Sequence, residues 1–181
     1  MKIKTLALMT VCLSPVSSFA SDGDITFNGE VTAASCSLKG FNNGTTTTGE
    51  IMTLSNVTPQ SFTENSGYAG MQDFTIDLKE CNITTIKNAQ VAFSGSPDSA
   101  DNSILSNIAT ATPATGVGVA ILESNGTTLV DINGGTPSNA QALVEGDNAL
   151  KFKVAYKANS TTPAVTAGKV SAKTFIDITY N

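Results

Sequence analysis

From Ile25 to Asn181 the chain is a series of short alternating runs, and nothing longer interrupts them. Phe74-Thr75-Ile76-Asp77-Leu78 alternates strictly, and Leu150, Phe152, Val154 and Tyr156 alternate with Lys151, Lys153 and Ala155. Val117 to Leu122 is a continuous apolar run, and Asn125-Gly126 after it signals a tight hairpin into Thr128–Ile132. Ile25–Phe27, Glu30–Leu38, Glu50–Leu54, Gln90–Phe93 and Val170–Tyr180 also read as strands. Asn, Gly, Thr and Pro fill the intervals. No window sustains an apolar i, i+3, i+4, i+7 pattern; short helical turns are expected only near Ser99–Ile108 or Asn139–Leu143. Strands at this spacing predict one antiparallel β-sandwich of immunoglobulin-like kind, with no repeat or second domain.

The first twenty residues differ from the rest. Lys2 and Lys4 precede an apolar run, Thr5–Leu13, and Ser18 and Ala20 are small residues suited to a cleavage site. The run falls short of the roughly 20 residues that span a bilayer, so the expectation is a secretory signal cut after Ala20. The mature chain then starts at Ser21 with 161 residues and a formal charge of 8 − 15 = −7. Cys12 leaves with the signal, which makes Cys36 and Cys81 the two cysteines of an exported protein. A disulfide between them is the simplest pairing, with free thiols or an intermolecular bridge as the alternatives.

Composition removes several functions. The 181 residues contain no His, which excludes Ser-His-Asp and Cys-His nucleophiles and His-ligated zinc. A pI of about 4.5 leaves no basic face for nucleic acid, and no segment is suited to membrane insertion. Paired carboxylates can hydrolyse glycosides without His, and Asp73, Asp77, Glu123, Asp131, Glu145 and Asp177 are available, but no catalytic motif surrounds them. Asp98, Asp101 and Asn102 lack the spacing of a calcium loop. Nothing calls for a cofactor or a metal. Five N-x-Ser/Thr triplets, at Asn43, Asn56, Asn82, Asn125 and Asn159, are what abundant Asn and Thr produce by chance.

The termini are the informative part. Ala172, Thr174, Ile176, Ile178 and Tyr180 share one face of the last strand, and no sequence follows that would cover its other edge. Gly23, Ile25 and Phe27 form a spare alternating segment ahead of the first sandwich strand. Pattern alone allows two readings: an N-terminal strand pairing within its own domain, or a strand supplied to a neighbour that lacks one.

Family resemblance separates them. Gly29-Glu30-Val31 followed by Ala33-Ala34-Ser35-Cys36, the segment Phe74 to Cys81, the strand Gly116 to Leu122, and the C-terminal block resemble the major pilin subunits of chaperone–usher fimbriae, the type 1 kind in particular. That block comprises Leu150-Lys151-Phe152, Ala155-Tyr156, Ala167 to Val170 and Phe175 to Tyr180, with a penultimate aromatic and Gly168 fourteenth from the end. The resemblance implies an all-β, incomplete Ig-like sandwich lacking its final strand, completed by a donor strand from a neighbouring subunit. It implies three segments: the signal at 1–20, a donor-strand extension at 21–31 and a pilin domain at 32–181. Gly23, Ile25 and Phe27 would be the donor residues. Gly168, Ala172, Thr174, Ile176, Ile178, Tyr180 and Asn181 would form the strand that meets first a periplasmic chaperone and then, at an outer-membrane usher, the next subunit. Only Ser21 and Asp22 precede Gly23, a shorter extension than such pilins commonly carry, which leaves major and minor subunit as alternative roles. A carbohydrate-binding tip adhesin is the rival in another class, and its lectin domain does not fit into 161 residues.

Overall fold

In the computed structural model the chain is described over residues 36–64, 67–160 and 164–181, so the expected donor residues Gly23, Ile25 and Phe27 lie outside the described part. Seven strands and one short helix occur there in the order β1 (Ser37–Phe41), α1 (Ser61–Glu64), β2 (Tyr68–Cys81), β3 (Asn88–Gly95), β4 (Val117–Glu123), β5 (Gln141–Ala142), β6 (Gly146–Ala158) and β7 (Thr174–Tyr180). All pairings between them are antiparallel. One sheet runs β1-β2-β6-β4 and the other β5-β3-β7.

Alternation explains why the sheets face each other. Ile76 and Leu78 of β2 and Leu150, Phe152 and Val154 of β6 turn to the same side as Ala89, Val91 and Phe93 of β3, and together they form the main core. The Phe93 ring meets Phe152 edge-on at 5.2 Å between centroids, which ties one sheet to the other. β4 is buried at every position, because a second, smaller core covers its outer face. Ile104, Ala120, Leu122 and Ala155 form that outer core, with Leu129 packed against it. Gly118 lets the covering loop approach: a Cβ there would lie 2.4 Å from the Leu105 carbonyl oxygen.

The covering loop is itself anchored. Leu105 and Val119 exchange two backbone hydrogen bonds of 2.8 and 2.9 Å. Asp101 accepts from Ser103 and pairs with Lys157 of β6. Burial opposes the Asp101 charge, but Lys157 and Ser103 outweigh it and hold the carboxyl below its ordinary value. The sign follows: a carboxyl depressed in the fold contributes stability above the unfolded value of about 3.9 and loses it as pH falls through the lower folded value. Asp101→Asn is therefore expected to lower the melting temperature at pH 7 and to leave it unchanged near pH 2. Parallel melts of the two proteins at both pH values test this.

Several sequence expectations are corrected. Glu50–Leu54 alternates but is not a strand, and none of the described residues offers it a ladder; Met52 and Leu54 still lean on the core while Ile51 is 84% exposed. Neither Ser99–Ile108 nor Asn139–Leu143 is helical. The helix is α1, which opens after Thr58 and Pro59: the Thr58 carbonyl accepts from the Ser61 N–H at 3.0 Å and the two hydroxyls meet at 3.2 Å. The Asn125-Gly126 turn forms, with Gly126 at φ 72° and the Asn125 side chain accepting from Thr127 and Thr128. Its second arm makes only an isolated bridge, Leu122 to Leu129, instead of a strand over Thr128–Ile132. The last strand is likewise shorter than Val170–Tyr180, since β3 ends at Gly95 opposite Thr174 and Pro97 follows.

Candidate strand-acceptor edge

Among the described residues β7 has one neighbour, β3, and so lies at the edge of its sheet. The hydrogen-bond parity of that pair identifies which groups are left over. Asn88 N–H donates to the Asn181 oxygen at 2.8 Å, and Asn181 N–H returns to the Asn88 oxygen at 3.1 Å. A reciprocal pair at 181 means that 179, 177 and 175 also bond inward to β3, because bonded residues alternate in an antiparallel ladder. Tyr180, Ile178, Ile176 and Thr174 consequently aim their N–H and C=O groups at the open edge.

Those same four residues carry the half-buried side chains. Exposure alternates strictly along β7, with Phe175, Asp177 and Thr179 outward and Thr174, Ile176, Ile178 and Tyr180 inward. Ile176, Ile178 and Tyr180 pack against the main core without being enclosed by it. A fully paired core strand would bury such residues, as β3 buries Val91 and Phe93. The apolar floor and the free backbone edge therefore coincide on one strand. Strand addition needs this combination: main-chain bonds for affinity and alternate side-chain positions for specificity.

Cys36 and Cys81 are joined by a disulfide that links the residue before β1 to the end of β2. Tyr180 reaches the same place: its hydroxyl donates to the Cys36 carbonyl at 3.4 Å. Burial raises the Tyr180 phenol, and the bond to Cys36 offsets part of that rise. The Asn181 oxygen is taken up by the N–H groups of Lys87 at 2.6 Å and Asn88. Ala172 is half-buried against the core, as expected for the face it shares with Ile176. Gly168 lies outside β7 and is exposed, pressed against Pro113 and Ala114 so closely that a Cβ would be 2.3 Å from the Ala114 nitrogen. Val170, on the parity of Ala172 and packed on the core, belongs with this set, and the alternation reaching back from Tyr180 was the signal for it.

Five of the six acidic residues weighed for hydrolysis are engaged within the fold, while Asp177 is exposed on β7. Buried Asp77 and Glu123 accept backbone N–H bonds from Asn43 and Asn139. The N–H and side-chain amide of Asn133, then the N–H groups of Thr136 and Gly135, hold the Asp131 carboxyl below its ordinary value. Asp73 pairs with Lys153, and Glu145 accepts from the Ile83 N–H. Asp98 accepts from the N–H groups of Ala100 and Asp101, closing its own loop.

Among the described residues the C-terminal strand of the sandwich is open on one edge and half-buried on one face, the architecture of a pilin subunit. The chain matches the family described as fimbrial protein over residues 25–181, and it belongs to that family. It is 35% identical over 161 residues to fimbrial subunit ElfA of Escherichia coli K12, covering 88% of this chain and 84% of that one. It is 36% identical over 169 residues to the type-1 fimbrial protein A chain of Salmonella typhi, covering 92% and 87%. Two solved structures share the fold. A chain of a chaperone–usher pilus superposes with TM-score 0.64 at 22% identity, covering 93% of this chain and 100% of that one. The P pilus rod subunit PapA gives 0.63 at 20% identity, covering 81% and 99%. The protein is a structural subunit of a fimbria. Its relatives are fimbrial subunits, which does not favour the adhesin or hydrolase readings.

Proposed function

We propose that this subunit builds a surface rod by donor-strand exchange, with β7 as the acceptor and residues 21–31 of the next subunit as the donor. The unbroken alternation on a strand with one neighbour among the described residues carries this reading, since it offers both ladder groups and a partly open apolar floor to a donor. In this scheme the chain is exported after cleavage at Ala20, and a periplasmic chaperone first lends a strand to the β7 edge while holding the carboxylate of Asn181. At the outer-membrane usher, Gly23, Ile25 and Phe27 of the incoming subunit replace that strand. The role is structural and needs no cofactor.

Ile25 and Phe27 share one parity, and full burial of a large apolar side chain contributes about 1.5–3 kcal/mol. Gly23 on the same parity fits a shallow part of the groove. The main-chain ladder and the removal of an exposed edge add to this. A contact between unlike surfaces, donor on one copy and acceptor on the next, does not close on itself and so propagates as a filament.

Tyr180→Ala tests the acceptor. It removes an inward ring of the edge and the hydroxyl bond to Cys36, and recovery of the subunit with its chaperone from periplasm is expected to fall about tenfold. Recovery equal to the natural subunit would refute the acceptor assignment.

A further inference from the structure

The accepting edge does not stop where β7 does, and one side chain accounts for its continuation. β3 backs β7 only from Tyr180 to Thr174. Exposure nevertheless keeps its strict alternation through Lys173, Ala172, Ser171, Val170 and Lys169. Inward bonding keeps its parity as well. Ser171 O accepts from Ile108 N–H at 2.8 Å, Lys169 O accepts from Ala114 N–H at 2.9 Å, and Lys169 N–H donates to Thr112 O at 2.8 Å. The odd-numbered residues thus bond to the 107–114 segment as Phe175 and Asp177 bond to β3.

Within this second backing, Asn107 fills the step between the Ile108 contact at Ser171 and the Ala114 contact at Lys169. Its Oδ1 accepts from Ser171 N–H at 3.0 Å and Ala109 N–H at 3.0 Å. Its Nδ2 donates to Lys169 O and to Ala114 O, both at 2.9 Å. One carboxamide therefore meets both an N–H and a C=O of the edge strand, which would take two peptide units of a neighbouring strand, since a trans peptide turns its C=O and N–H to opposite sides. We infer that Asn107 is a positioning residue of the acceptor edge, substituting for the missing peptide groups beyond β3 and holding Val170 and Ala172 in register with Thr174–Tyr180. The edge offered to a donor then has six alternate positions, 170 to 180, instead of the four within β7. Only Asn meets the requirement at this reach. Asp would set a carboxylate oxygen against the Lys169 and Ala114 carbonyls, Leu would leave four backbone groups without that partner, and Gln is one methylene too long. The anchoring of the preceding loop by Asp101, Ile104 and Leu105 gives the carboxamide a fixed origin.

This rests on the acceptor role of β7 proposed above, and the test separates the two. The probe is a fluorescent peptide copying residues 21–31, titrated into the full exported chain and its Asn107→Asp, Val170→Ala and Ile178→Ala variants, with the two double variants. Asn107→Asp, which preserves shape, is expected to weaken peptide binding about tenfold. Val170→Ala should cost about threefold in the natural chain and almost nothing in the Asn107→Asp background, whereas Ile178→Ala should cost the same factor in both. A full Val170→Ala cost in both backgrounds, or natural affinity in Asn107→Asp, overturns the Asn107 role while leaving β7 as acceptor. No effect of Ile178→Ala removes the acceptor reading and this inference with it. Hydrogen exchange on the unsubstituted protein gives a second measurement should Asn107→Asp fail to fold. Without peptide, the Ser171 and Lys169 amides should exchange as slowly as those of Phe175 and Asp177. On addition of peptide, Val170 and Ala172 should become protected together with Ile176 and Ile178. Loop-like exchange at Ser171, or protection confined to residues 174–180, overturns the inference.

Discussion

A subunit lacking residues 21–27 is expected to reach its chaperone at the natural level and to form no rods. The two halves of that outcome come from different parts of the chain. In the proposed scheme, capture by the chaperone uses the acceptor edge, where Ile176, Ile178 and Tyr180 are held by β3 and the main core. Donation in that scheme uses Gly23, Ile25 and Phe27. Loss of Ile25 and Phe27 removes a few kcal/mol of apolar burial, enough by itself to weaken each junction by a factor of about 10²–10³. The ladder bonds of the donor strand go with them, and a filament needs every junction. Electron microscopy of cells carrying the deletion, with parallel recovery of the chaperone complex from periplasm, distinguishes the cases. Normal rods would move the donor role to another segment. Loss of the chaperone complex as well would mean that the extension supports its own subunit's fold, the other reading that the termini allowed.

The strands that alternation revealed are those that bury one face against the opposite sheet. β2 and β6 are half-buried antiparallel neighbours, paired from Tyr68 opposite Lys157 to Cys81 opposite Gly146, and their patterns declared themselves. β4 read as a continuous apolar run, and the structure supplies the reason: the main core lies on one face and the Ile104–Leu122 cluster on the other. Alternation failed where it is produced by packing without pairing. Met52 and Leu54 lean inward beside exposed Ile51 and Thr53, yet that segment has no ladder among the described residues, and only a partner can supply one. α1 was hidden because four residues, Ser61–Glu64, are too few to show a helical period. The acceptor edge was legible from its own residues, including Val170, since the side-chain period of two persists from Val170 to Tyr180. Asn107 was not. Its importance lies in bonds to Lys169, Ser171 and Ala114, contacts up to 64 positions away that no local pattern encodes.

Replacement of both disulfide cysteines, Cys36→Ser with Cys81→Ser, is expected to leave little or no recoverable subunit in the periplasm. The bridge closes a separation of 45 residues, for which a chain-entropy treatment gives roughly 4 kcal/mol, and removal of a native disulfide from a small secreted domain costs about 2–5 kcal/mol. A domain of this size has about 5–15 kcal/mol in total. The position of the bond adds a second effect. Cys81 is buried in the main core, while Cys36 presents its carbonyl to the Tyr180 hydroxyl at the end of the acceptor strand. Cutting the bridge releases β1 from the end of β2 and removes the fixed acceptor of that phenol, so the edge should loosen before the rest of the sandwich does. Thermal melts of oxidised and reduced protein measure the first effect, with a lower midpoint expected after reduction. Peptide binding to whatever reduced protein remains folded measures the second, and should be weaker there than in the oxidised subunit at the same folded concentration. Thiol labelling before and after reduction, with two thiols appearing only afterwards, establishes which state is being compared. An unchanged midpoint with both thiols exposed would show that β1 is held to β2 by its ladder alone, and the bridge would then have to be explained by something other than stability.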